Sequence, residues 1–309
     1  MEQSVTGVPD GWDVPLGGLE GLARVQLERT HVEAAAAEVR FVTDQRELSQ
    51  AAAARVWEGL GTEAYPVFEP STQTIMTVTI NPAGAVPVQE SQQGWMLATS
   101  DRATAVTLLP SMVVMQTRDY KRYSTSLGGP LAKVLSLFTE ATGVSRVQRL
   151  GLRYVNRLTD PAAGSPAFWC DHIREPFAGA LHGPVAHLVT GVHQQVQLQL
   201  DETAGARVQT GVFEEQGAVP PCYSYLVDLD VFREQASMFE RTVCADQMRQ
   251  LNRTALALFA KVLSQQYLAE LGPVAVPPSD TPGAGSTIPG APVADESAEN
   301  ARNEGELRL

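Results

Sequence analysis

Residues 147–158 alternate so sharply that they constrain the fold more than any other stretch. In an extended strand, successive side chains point to opposite faces. One face of this segment carries Leu150, Leu152, Tyr154 and Leu158, with Asn156 among them; the other carries Val147, Arg149, Gly151, Arg153, Val155 and Arg157. A strand with one apolar and one charged face belongs in an antiparallel sheet covered on one side only. At roughly 3.3 Å per residue, each arginine stands about 13 Å from the next.

Neighbouring segments repeat the polarity. In 192–200, Val192, Val196, Leu198 and Leu200 share a side with Gln194, opposite His193, Gln195, Gln197 and Gln199. In 206–214, Arg207 and Gln209 share a face; in 223–231, Ser224, Asp228 and Asp230 lie opposite Tyr223, Tyr225, Val227, Leu229 and Val231. The candidate ligand-binding set is therefore Arg149, Arg153, Arg157, His193, Gln195, Gln197, Arg207, Asp228 and Asp230. Two readings stand side by side. One is an ordinary solvated face with Arg153 paired to Asp228 or Asp230. The other is a shallow groove for an anionic or hydrogen-bond-rich ligand, for which arginine supplies bidentate contacts.

The pattern along the chain predicts an α+β fold built from two similar passes, 31–143 and 144–272, each ordered β-α-β-β-β-α. The sheets are expected to be antiparallel, either one curved sheet or two abutting ones, with helices packed on one face. In the first pass a strand ends at 38–42. A helix follows, capped at Asp44 with Glu47 at the capping-box position and stopped by Gly59 and Gly61. Strands follow at 72–80, 94–99 and 103–116, the last divided or bent by Pro110, then a helix at 126–142. The second pass has a strand at 147–158, a helix at 166–181, strands near 186–200, 206–214 and 223–231, and a helix at 244–271. Two short matches suggest duplication: Val39-Arg40-Phe41-Val42 with Leu152-Arg153-Tyr154-Val155, and Ala132-Lys133-Val134-Leu135-Ser136 with the identical Ala260-Lys261-Val262-Leu263-Ser264. Residues 1–30 read as an irregular leader with a short apolar segment at 16–27. Residues 273–309, built of Gly, Pro, Ala, Ser and acids, read as a disordered tail.

Charge restricts the partners. The chain of 309 residues carries a net −12; six acids against two arginines in 273–309 supply −4 of it, leaving −8 on the rest. Such a balance opposes non-specific nucleic-acid binding, which works by neutralising phosphates. No apolar run approaches the roughly 18 residues of a membrane helix, and residues 1–10 lack the basic and apolar regions of a secretory signal. A cytoplasmic location is the expectation. The three cysteines, Cys170, Cys222 and Cys244, form no disulfide framework and no CxxC pair. No HExxH, GxSxG, GxGxxG or phosphate-loop motif occurs, so no metal and no cofactor is expected. Cys170 and His172, two apart on an expected helix, would not share a face.

Several segments carry a resemblance: Glu38-Val39-Arg40-Phe41, Tyr65-Pro66-Val67-Phe68-Glu69, Leu150-Gly151-Leu152-Arg153-Tyr154-Val155-Asn156-Arg157 and Val227-Asp228-Leu229-Asp230. On these, residues 30–272 resemble a sporadically distributed family of uncharacterised bacterial and archaeal proteins. That family often places a histidine where Asn252 stands here. The resemblance supports the domain reading and implies no activity or catalytic residue. The expectation is a non-enzymatic accessory protein that binds a ligand or a partner protein. The alternative is a metal-dependent hydrolase or nuclease using Asp228 and Asp230. Oligomeric state is left open by the sequence.

Overall fold

A computed structural model describes residues 25–27, 31–81 and 84–275, all within a unit spanning Met1–Val276. All but three residues of the expected leader and of the expected disordered tail lie outside the described residues; the three described in each, Val25–Leu27 and Pro273–Ala275, form paired strands instead. The strands are β1 (Val25–Leu27), β2 (Val32–Phe41), β3 (Val67–Asn81), β4 (Gly84–Ala98), β5 (Thr104–Leu109), β6 (Met112–Thr117), β7 (Arg146–Leu158), β8 (Val192–Gln199), β9 (Ala204–Glu214), β10 (Tyr223–Met238) and β11 (Pro273–Ala275). The helices are α1 (Gln50–Leu60), α2 (Gly129–Thr142), α3 (Glu175–Ala178), α4 (Arg241–Val262) and α5 (Gln265–Glu270).

Nine strands form one sheet in the order β3-β4-β5-β6-β2-β7-β10-β9-β8, and every neighbouring pair is antiparallel. The sheet therefore runs continuously through the β2–β7 seam rather than splitting into two. Separately, β1 pairs antiparallel with β11, so the ends of the folded body are tied to each other.

Register explains the core. One row crosses all nine strands as Phe68, Leu97, Val106, Met115, Ala37, Leu152, Val231, Ala206 and Leu198. It is apolar from end to end, and the helices cover this face. Helix α4 packs on β7 and β10, α2 on α1 and α4, and α1 on β4. Phe138 of α2 lies 5.4 Å from Phe41 between ring centroids. Phe68 stacks between Trp57 of α1 and Trp95 of β4, at 4.8 and 4.7 Å. Burial of such rings contributes about 2–3 kcal/mol each relative to exposure. Polar groups on this face find partners. The Tyr154 hydroxyl donates to Asn252 Oδ1 at 2.8 Å, and buried Asn156 donates through Nδ2 to the Val227 carbonyl at 3.0 Å.

The structure corrects several expectations. Helix α1 starts at Gln50 behind the N-cap Ser49, whose side chain accepts from the Ala52 N–H, and not behind Asp44. Residues 46–48 are held by β4 instead: Gln93 N donates to Arg46 O and Leu48 N to Gln93 O. The helix expected at 166–181 is a chain of short turns: a 3-10 turn Pro166–Cys170, then α3, then a 3-10 turn Gly179–His182. Ile173 pairs with Leu263 as an isolated bridge, which pulls the chain out of helix, and Gly179 adopts φ +57°. The helix expected at 244–271 breaks at Leu263, which has extended backbone; Ser264 then caps α5 through the Tyr267 N–H. As a result Ala132–Ser136 lie inside α2, whereas the identical pentapeptide 260–264 straddles a helix end. By contrast, the strand expected at 103–116 is divided at Pro110 as anticipated, into β5 and β6.

Val147 is also corrected. Alternation puts it on the arginine face, yet it is buried in the core, 4 % exposed. Register shifts between Arg40 and Phe41 and between Glu234 and Ser237 mark an irregularity around it. Such an extra residue reverses the alternation locally, so Val147 and Leu150 both point inward.

Candidate binding face

The face opposite the helices carries every residue of the candidate set. Register places them in successive rows. Arg153, Asp230, Arg207 and Gln197 are direct neighbours across β7, β10, β9 and β8. The next row holds Val155, Asp228, Gln209 and Gln195, and the one after it Arg157, Leu226, Gly211 and His193. Arg149 lies at the far end, between Arg40 of β2 and Glu234 of β10. With strands about 4.8 Å apart, the row from Arg153 to Gln197 spans roughly 14 Å.

Arg149, Arg153 and Arg157 of β7 are each engaged by carboxylates. Arg149, whose side chain is only 12 % exposed, meets Glu38 at 2.5 Å, Glu234 at 3.4 Å and Asp230 at 3.6 Å. Arg153 forms a bidentate pair with Asp228, Nε to Oδ1 at 2.9 Å and Nη2 to Oδ2 at 2.6 Å. Arg157 grips Glu215 through Nε at 2.9 Å and through Nη2, and reaches Glu33 at 3.2 Å. Glu215 is further held by the buried Ser224 hydroxyl. Two rings complete the frame. The Arg149 guanidinium lies 4.8 Å from the Phe232 ring centroid and that of Arg157 5.5 Å from Phe213. Gly205 makes room for this arrangement, because a Cβ there would meet the Phe232 ring at 2.8 Å.

The hydrogen bonds that Arg153 donates to Asp228 and Arg157 to Glu215 raise the pKa of both guanidinium groups. Burial pushes Asp230 above the ordinary aspartate range, with Arg149 and Arg207 pulling the other way and Glu38 adding to the rise. Asp228 and Asp230 are not arranged as a metal pair. Both oxygens of Asp228 face the Arg153 guanidinium, and among the described residues no group of three or more His, Cys, Asp or Glu side chains could hold an ion.

The β8–β9 end differs. His193, Gln195, Gln197 and Arg207 are exposed. Gln209 donates to Gln195 Oε1 at 3.2 Å. Among the described residues no carboxylate lies within ion-pair distance of Arg207.

Sequence reasoning missed the counter-charges Glu33, Glu38, Glu215 and Glu234 and the ring of Phe232. Glu38 had a signal, since it alternates with buried Ala37 and Val39 in β2. Glu215 follows the end of β9, where periodicity carries no information. Away from this face, Cys170 meets His182 rather than His172, with Sγ 3.2 Å from Nδ1 and 3.8 Å from Nε2. Two such similar distances put the sulfur beside the ring rather than along one nitrogen lone pair. Burial raises the thiol pKa. A groove of about 670 Å³ runs between α2 and α4, lined by Lys133, Glu140, Arg241, Asp246 and Arg249. Among the described residues no helix is long and apolar enough to cross a membrane. No protein-family model matches this chain, and no curated protein matches it significantly.

Proposed function

We propose that the chain is a non-enzymatic binding protein. Its open β7-β10-β9-β8 face receives a carboxylate- or phosphate-bearing ligand, either a small molecule or a group on a partner protein. Arg207 carries the reading. Like Arg153 in the same row it is exposed, but among the described residues no carboxylate lies within ion-pair distance of it, while Arg149, Arg153 and Arg157 are paired internally. A guanidinium flanked by Gln195, Gln197 and Gln209 offers charge and amide donors together. The net charge of the chain favours a compact anion over a nucleic acid, and a cytoplasmic location remains part of the proposal.

Two further points belong to this proposal. The resemblance to the sporadically distributed uncharacterised family suits an accessory role. The strand order read outward from the seam, β2-β6-β5-β4 one way and β7-β10-β9-β8 the other, supports two duplicated halves, with β3 as an addition to the first.

Native mass spectrometry of protein purified gently from its own host, against a denatured control, tests the reading. A bound molecule or chain that is lost in Arg207→Ala but kept in the wild type is expected. Capture that is indifferent to both Arg207→Ala and Arg153→Ala overturns the assignment to this face.

A further inference from the structure

The two edges of the sheet are built differently. Edge strand β3 carries Glu69 and Pro70, a charge and a missing donor, both of which discourage pairing with another strand. Edge strand β8, Val-His-Gln-Gln-Val-Gln-Leu-Gln, has no formal charge, no proline and an unbroken register with β9. Unprotected edges of this kind pair with further strands unless something covers them.

Hydrogen bonding shows which groups are on offer. Glu234 N donates to Thr203 O and Leu200 N to Ala204 O. Backbone groups alternate sides along a strand, so the odd residues of β9 bond β10 and the even ones bond the even residues of β8. The N–H and C=O groups of His193, Gln195, Gln197 and Gln199 therefore point outward from the edge. Among the described residues no backbone group from another segment reaches them, and all four residues are exposed. Beside them, on the turn leading into β8, Leu188 is 68 % exposed and Val185 50 %.

We infer that the β8 edge pairs antiparallel with the β8 edge of a second copy of this chain, joining two sheets into one. Three observations select a second copy. A chain of net −12 meets itself most easily along a charge-free strand, where no like charges are brought together. A two-fold axis at Val196 places Val196 against Val196, and Gln195 against Gln197 of the second copy. In that register both sheets keep their helix-covered and polar faces on the same sides. Glutamine amides, each donor and acceptor, complement one another across such a seam, and the outward odd-numbered backbone groups fall opposite each other as hydrogen-bonded pairs. The chain's own segment 276–309, with its repeated Pro and Gly, is poorly suited to be the added strand.

The inference is independent of the ligand reading, because Arg207→Ala leaves the edge intact. The test is the mass of the full-length protein by light scattering across a dilution series. The expected result is twice the 33.2 kDa of the chain, giving way to monomer on dilution. The variant Q195E/Q197E sets carboxylate against carboxylate across the seam while leaving the internal ladder untouched. It should weaken the dimer roughly tenfold. Q195E/Q197K sets Glu against Lys and should retain it. Amide hydrogen exchange adds a readout that does not depend on a variant. The 193, 195, 197 and 199 amides should gain protection with concentration, while those of 194, 196 and 198 stay protected throughout. A monomer at all concentrations overturns the inference and leaves the edge to a strand of another protein. A dimer indifferent to the two charge variants overturns it by placing the interface elsewhere.

Discussion

Arg153 and Arg207 sit on the same face of the same sheet, in the same row, with only Asp230 between them. Their circumstances are opposite. Arg153 is clamped in both arms of Asp228, a carboxylate buried to 7 % exposure, whereas Arg207 has no ion-pair partner among the described residues. The difference teaches that a stripe of arginines is not by itself a binding site. Where each guanidinium has its own carboxylate, the charges satisfy each other and hold β2, β7 and β10 in register. A ligand would have to displace them. Only where the pairing stops does positive charge become available.

The sharpest contrast lies within β7, between adjacent residues on opposite faces. Leu152 is fully buried, so Leu152→Ala should cost about 3 kcal/mol in urea unfolding, from lost burial plus the cavity left behind. Its neighbour Arg153 should cost less when changed to Ala, about 1–2 kcal/mol. The loss there comes from stranding the Asp228 carboxylate, moderated because the guanidinium is 55 % exposed. Equal costs would mean that the arginine is as structural as the leucine.

Asp228 and Asp230 form the next comparison. Asp228→Asn should destabilise by about 1 kcal/mol, since it weakens a bidentate charge-assisted pair. Asp230→Asn should be neutral or slightly stabilising at pH 7. Burial holds the folded-state pKa of Asp230 above the ordinary aspartate value of 3.8. The folded protein therefore binds that proton more tightly than the unfolded chain, and the resulting stability is lost as pH rises through the shifted pKa. Asp201, in the β8–β9 turn, runs the other way. Backbone hydrogen bonds from Thr203, then from Ala204, outweigh desolvation and hold it at about 2. Its contribution is present above 3.8 and is lost as pH falls through about 2. Chemical denaturation of Asp230→Asn and of Asp201→Asn between pH 2 and 7 should give slopes of opposite sign relative to wild type. Parallel curves would remove the argument for Asp230.

The smallest effect belongs to Arg207. Arg207→Ala should change stability by no more than about 0.5 kcal/mol, as for other exposed residues without a special role. A loss as large as that of Arg153→Ala would show that Arg207 is bound up in the fold and would undercut its role as the uncommitted cation.

The candidate face was legible in part. Alternation alone assigned Arg153, Arg157, Asp228, Asp230, His193, Gln195, Gln197 and Arg207 to a single face, because period two survives wherever a strand is regular. It failed at Val147, where an irregularity in register reverses the faces, and at 166–181, where an apolar, helix-like spacing is overridden by the Ile173–Leu263 bridge. It also did not distinguish the committed arginines from the free one. That depends on Glu38, Glu33 and Glu215, which come from other strands or lie past a strand end.

What the sequence determined by itself is local: which residues alternate, which face is apolar, and how little positive charge is left over in an acidic chain. The tertiary structure decided the cross-strand order. It placed β2 and β10 beside β7, so that Glu38 and Asp228 reach its arginines, and it left β9 and β8 outermost, where among the described residues no carboxylate lies within ion-pair distance of Arg207. Periodicity is a property of one strand, whereas charge pairing is a property of neighbours separated by up to 124 positions in the chain, as for Arg157 and Glu33, and only folding brings those neighbours together.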